Sequence, residues 1–240
     1  MERRGAMIDP KQCPGGKRGN AFQILDIEFE AARKMISWGR GHLDPENQYA
    51  QAFFGPSRLV EPDISTLRGR YDVMRRLATD KQNSRHAIDI NVFCGRNRRG
   101  ECDDPDVSAK MVSNALLGEK LLICPPFWRL PSTADLVRRC ERENITMQNV
   151  KETRGRVLVH ELAHSRKVKY PIITDYVYSI RRLLELAAGQ YSRTDPKTGQ
   201  ATLLAASKVM ENAESYALTV AGTWYLAKCQ LYRTDATVDI

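Results

Sequence analysis

Residues 160–164 read His-Glu-Leu-Ala-His, and this pentapeptide constrains the chain more than any other stretch. Two histidines four positions apart share a face when the backbone is helical, where they stand about one turn from each other. Both imidazoles then reach one ion. Zinc accepts nitrogen donors in four-fold coordination, and a catalytic site keeps one position open. Glu161 is placed to hydrogen-bond water at the metal and act as general base. With 4 His and 14 Glu in 240 residues, chance supplies roughly 0.004 such patterns, so composition does not account for it. Val157, Leu158 and Leu162 give the segment an apolar side. The bland alternative is two surface histidines on an amphipathic helix.

A zinc site needs a third protein ligand. No histidine follows His164, so the candidates are carboxylates: Glu185, Glu211, Glu214 or, nearer, Asp175. Pro171 intervenes, so the first helix must end and the chain must turn. A second helix, starting near Thr174 and stopping at Gly189, would carry Asp175 in its first turn. Asp at that position also suits ordinary N-terminal capping. Tyr178, three residues on, faces the same side. Its hydroxyl can donate to the oxyanion of a tetrahedral intermediate, or its ring can simply pack.

Along the rest of the chain, residues 1–20 read as a polar arm and residues 21–240 as one domain. Apolar spacing predicts helices over 21–38 (Ile24, Ile27, Ala31, Met35, Trp38), 45–54, 63–79 (Ile64, Leu67, Tyr71, Met74, Leu77), 133–143, about 150–166 and about 203–227. The last carries Val209, Ala213, Tyr216, Val220 and Trp224 on one face. Residues 87–94 and 120–124 read as strands, with loops at 95–106 and 191–200. The fold expected is α+β, mostly helical, with a small sheet in its middle.

Six cysteines, none in a Cys-x-x-Cys pair, fit three disulfides and an oxidising compartment. Fifteen connectivities exist for six cysteines; the most local pairing is Cys94–Cys102, Cys124–Cys140 and Cys13–Cys229. Residues 144–146, Asn-Ile-Thr, form a glycosylation sequon if the chain is secreted. The first 16 residues carry no apolar run behind their basic ones, so they are not a signal peptide. A secreted chain with its leader already removed, or an intracellular one, remains. No apolar run approaches the ~20 residues of a membrane helix. The net charge of +8 is scattered, without aromatic interleaving, and reads as solvated faces; a basic nucleic-acid module is the weaker alternative.

HELAH followed by Ile-Ile-Thr-Asp-Tyr-Val-Tyr-Ser at 172–179 resembles the aspzincin metalloendopeptidases, deuterolysin and the fungal peptidyl-Lys metallopeptidases. Their signature is HExxH followed by GTxDxxYG. Asp175 and Tyr178 match its Asp and Tyr, while Ile172-Ile173 replace its Gly-Thr and Ser179 its closing Gly. Residues 212–218, Asn-Ala-Glu-Ser-Tyr-Ala-Leu, and 121–128, Leu-Leu-Ile-Cys-Pro-Pro-Phe-Trp, are similar to two further stretches of that family. The resemblance spans residues 85–225. It implies a zincin-like fold and one zinc ion held by His160, His164 and Asp175. Glu161 would be the base and Tyr178 the oxyanion donor, in a secreted, disulfide-bonded fungal endopeptidase. Glu214 stands where the Lys-specific branch places an acid that contacts substrate, but Ala217 occupies the position of a second, so Lys specificity is not expected. Asn212 and Tyr216 would either support the metal helix from behind or simply pack. The partners expected are a protein or peptide substrate, with no membrane, no nucleic acid and a monomeric chain. The changed Gly-Thr and Gly positions motivate an alternative, a secreted binding protein that keeps this fold without the activity.

Overall fold

A computed structural model describes residues 6–8, 20–79, 90–95, 102–114 and 118–229 of the chain. Eight α-helices occur among these residues: α1 (Asn20–Gly41), α2 (Gln48–Phe54), α3 (Asp63–Leu77), α4 (Thr133–Cys140), α5 (Met147–Lys151), α6 (Arg154–Ala163), α7 (Ile180–Ala187) and α8 (Ala213–Lys228). The strands are β1 (Ala6–Ile8), β2 (Ile90–Cys94), β3 (Ala109–Asn114), β4 (Gly118–Ile123), β5 (Ser192–Thr194) and β6 (Ala201–Leu203). The architecture is α+β, mostly helical, with a small mixed sheet.

That sheet runs in the order β1-β2-β4-β3. β1 and β4 flank β2 in parallel, and β3 is an antiparallel edge strand on β4. The expected arm therefore contributes a strand. β3 was not expected at all: Ala-Lys-Met-Val-Ser-Asn alternates too weakly to signal a strand. β5 and β6 form a hairpin inside the region read as a loop and the start of the last helix.

Helix α8 is the axis of the helical part. Residues 213–225 are all buried, as a helix that is mostly apolar on every side must be. It packs on α1, α2, α5 and α6. Gly39 and Gly222 permit the close approaches. A Cβ at Gly39 would stand 2.5 Å from Val220 Cγ1, and one at Gly222 would stand 2.7 Å from the Tyr49 ring. α3 buries all five residues of its expected stripe. α1 does not: Met35 of the expected stripe is buried, but Ile27 and Trp38 are exposed, and the rest of the buried face is Ala21, Leu25, Phe29, Ala32 and Ile36. Two apolar stripes compete on this helix. The second wins although it carries Glu28, because Thr133 of α4 satisfies that carboxylate through its backbone N–H and its hydroxyl.

The local cysteine pairing is overturned. Cys102 bonds Cys124, and Cys140 bonds Cys229; Cys94 is also disulfide-bonded, and Cys13 lies outside the described residues. Cys102 precedes β3, which lies antiparallel beside β4, so it meets the cysteine just beyond β4. Cys140 ends α4 beside the C-terminal end of α8. Asn144 of the sequon is exposed. Among the described residues no helix is long and apolar enough to cross a membrane.

Candidate metal centre

The centre is built on α6, whose residues 155–163 are all buried between α8, α1 and β3. The helix expected over about 150–166 is broken at residues 152–153, and His164 is the C-cap of α6. Immediately beyond, the Ser165 hydroxyl and the Arg166 N–H both donate to Glu119 of β4. The end of the histidine helix is thereby tied to the sheet.

His160 and His164 point their Nε2 atoms at each other, 3.3 Å apart. Their Nδ1 atoms are committed elsewhere. His160 Nδ1 lies 2.8 Å from Glu214 Oε2, and His164 Nδ1 lies 2.6 Å from the Ile173 carbonyl. A carbonyl and a carboxylate only accept, so each Nδ1 carries a hydrogen, and each Nε2 is the ring atom turned toward the other two groups.

Asp175 completes the group. Its Oδ2 lies 3.0 Å from His164 Nε2 and its Oδ1 3.2 Å from His160 Nε2. Oδ1 is buried yet takes no hydrogen bond of proper geometry. Among the described residues these three are the one group of His, Cys, Asp and Glu side chains that could hold a metal ion, with ligand atoms within 4.8 Å of one another. Two imidazole Nε2 atoms and a carboxylate converging in this way could hold a divalent metal ion. The separations match the edge of a tetrahedron about zinc, about 3.3–3.4 Å for Zn–N bonds of 2.0–2.1 Å.

Asp175 does not ride on a helix. α7 begins only at Ile180, behind a Ser179 cap, so both Asp175 and Tyr178 sit on an irregular segment. Tertiary contacts with the start of α8 hold it. Thr174 N–H donates to the Glu211 carbonyl, Ala213 N–H donates back to Thr174, and Asn212 Oδ1 accepts from Tyr176 and Val177 N–H. Asn212 thus supports the Asp175 segment rather than the metal helix. Tyr216 does neither. Its hydroxyl donates to the Met210 carbonyl and accepts from Arg70, and its ring packs on Phe54 and Tyr71.

Glu214, expected to meet substrate, is fully buried. Its Oε2 accepts from His160 and, at 2.8 Å, from Arg156 Nη1, so it orients His160. Arg156 stands one turn before His160 on the same face. The i, i+4 spacing was visible in the sequence, but nothing there named its partner. Glu161 lies outside the ligand group, with Oε2 accepting from Met111 N–H of β3 at 2.7 Å. Tyr178 is 57% exposed and stacks on the His160 ring at 5.9 Å.

These contacts shift the titrations. Burial pulls His160 down, but Asp175 and Glu214 outweigh it and carry the imidazole up to about 10. Burial would raise Asp175, yet the two imidazoles hold its carboxyl far below the usual range. Burial pushes the Glu161 carboxyl up, against the pull of His160 and His164. Partial burial, then the neighbouring Asp175 charge, push the Tyr178 hydroxyl up, so it stays a donor.

The group opens onto a cleft of about 760 Å³, lined by β3, α6 and the Asp175 segment. His42 is not part of it; it stacks on Trp38 and bonds that residue's carbonyl. Neither the family models nor the curated proteins contain a match to this chain.

Proposed function

We propose that the chain is a zinc-dependent endopeptidase of the aspzincin kind, with a zincin-like fold, secreted into an oxidising compartment. The observation that carries this reading is the convergence of two imidazole Nε2 atoms and one carboxylate at 3.0–3.3 Å, with Glu161 beside them in an open cleft. His160, His164 and Asp175 would hold the zinc, which when bound would supply Lewis-acid chemistry toward a peptide carbonyl and water.

The chain's own residues do the rest. Glu161, desolvated and steadied by Met111, takes the proton of the attacking water and passes it to the departing amine. The Tyr178 hydroxyl, kept protonated, donates to the oxyanion. The cleft favours an extended peptide because β3 is a sheet edge. In its ladder with β4 the Ser108 carbonyl pairs inward with Cys124 N–H, so Ala109 and Met111, by alternation, turn their backbone groups outward. An added strand can bond Ala109 and the Met111 carbonyl there, the Met111 N–H being held by Glu161. Disulfides Cys102–Cys124 and Cys140–Cys229 support the secreted reading.

The test is direct. Purified protein should carry about one zinc per chain and cleave denatured casein. Glu161→Gln should keep the metal and lose roughly 10²–10⁴-fold in activity, the worth of a general base. A zinc-bearing wild type inert across a broad peptide library leaves the alternative, a binding protein with this fold.

A further inference from the structure

The cleft floor beside the metal group holds a buried ion pair that the proposed chemistry does not use. Arg156 Nη1 donates to Glu214, while its Nε and Nη2 both donate to the Lys151 carbonyl at the end of α5. A guanidinium has five N–H donors, so two remain, and Arg156 lines the cleft together with the Lys151 side chain. Glu214 is paired with Arg156 and bonded to His160. Its Oε2 already accepts twice, and its Oε1 is buried without a hydrogen-bond partner, so its charge is spent on Arg156 and His160. One carboxylate thus faces two cations on this side of the cleft, one helical turn from His160.

Asp104 and Asp106 also line the cleft, but both are exposed. Water and salt screen exposed charges strongly; Arg156 is charge-balanced by Glu214, so what it offers a ligand is its two remaining N–H donors, in a site where hydrogen bonds are weakened less by water. Arg is also the side chain whose paired N–H groups match a carboxylate.

We propose that this end of the cleft selects an acidic side chain, Asp or Glu, on the peptide residue next to the metal group, with Arg156 and Lys151 as the recognising pair. The proposal rests on the endopeptidase reading for its substrate class, but its test separates the two. Zinc-loaded Glu161→Gln protein is titrated calorimetrically with two peptides of otherwise identical sequence, one with Glu and one with Lys at a central position. The Glu peptide should bind about tenfold tighter, the worth of one charged hydrogen bond. Adding Lys151→Glu, at a half-exposed position, should erase or reverse that preference. Arg156→Gln exposes an unpaired Glu214 and risks the fold, so Lys151 carries the test. Equal binding, tighter binding of the Lys peptide, or no binding of either overturns the proposal. If the preference holds but wild-type enzyme cleaves neither peptide, the acidic pocket stands and the endopeptidase reading falls.

Discussion

Glu214 holds two groups with one oxygen, and this makes it the residue whose loss should be felt furthest. Glu214→Ala leaves Arg156 buried without its counter-ion and His160 Nδ1–H without an acceptor. Breaking a buried pair from one side costs about 3–5 kcal/mol, and removing a ligand's outer partner lowers metal affinity about 10–100-fold. Chemical denaturation and competition with a zinc chelator should show both. The proton balance at His160 gives a second expectation. Its folded value near 10 lies above the ordinary 6.5, so without metal the imidazole is protonated at pH 7 and ion-paired with Asp175. That contribution to stability is complete below about pH 6.5 and fades as pH rises through about 10. Zinc must displace the proton, so binding at pH 7–8 should release about one proton per ion. Calorimetry in buffers of different ionisation enthalpy measures it.

At the scale of elements, β3 and the Asp175 segment matter more than their length suggests. The Met111 N–H faces away from β4 and holds Glu161, so Met111→Pro removes that bond while leaving the ladder intact, as edge prolines do. Zinc content should stay near one per chain, and kcat should fall roughly ten- to hundredfold, part of the worth of a general base. Close packing of α1 on α8 sets a different limit. Gly39→Ala drives a Cβ to 2.7 Å from Val220 Cα, which neither helix can relieve by rotating a side chain. Overpacking of this kind costs about 1–3 kcal/mol, visible as a lower denaturation midpoint. Helix α3 was legible in sequence because its apolar residues recur at 3.6-residue spacing; α8 was legible as a helix, but it begins at Ala213 rather than near 203 and is buried on every side rather than on one face. α1 misled because two stripes share one helix. β3 was illegible because an edge strand needs only one apolar face, and six residues are too few to declare it.

For the whole molecule, the Cys140–Cys229 bridge closes a separation of 89 residues, joining the end of α4 to the end of α8. The chain-entropy account gives such a loop about 4–5 kcal/mol. Cys140→Ser with Cys229→Ser should therefore lower thermal stability markedly. Zinc affinity should hold below the new transition, since neither cysteine touches the ligand group. Sequence by itself determined the two imidazoles, their four-residue spacing and the carboxylate between them, because helical periodicity is a local property that needs no distant partner. It also marked Asp175 and Tyr178 as candidates. Tertiary structure alone decided how Asp175 reaches the two imidazoles, through the grip of Asn212 on a non-helical segment, and which cysteines meet. It alone cancelled Glu214 with Arg156. Each of these depends on residues between 22 and 89 positions apart, and local pattern carries no information about which distant segments the packing of a shared core brings together.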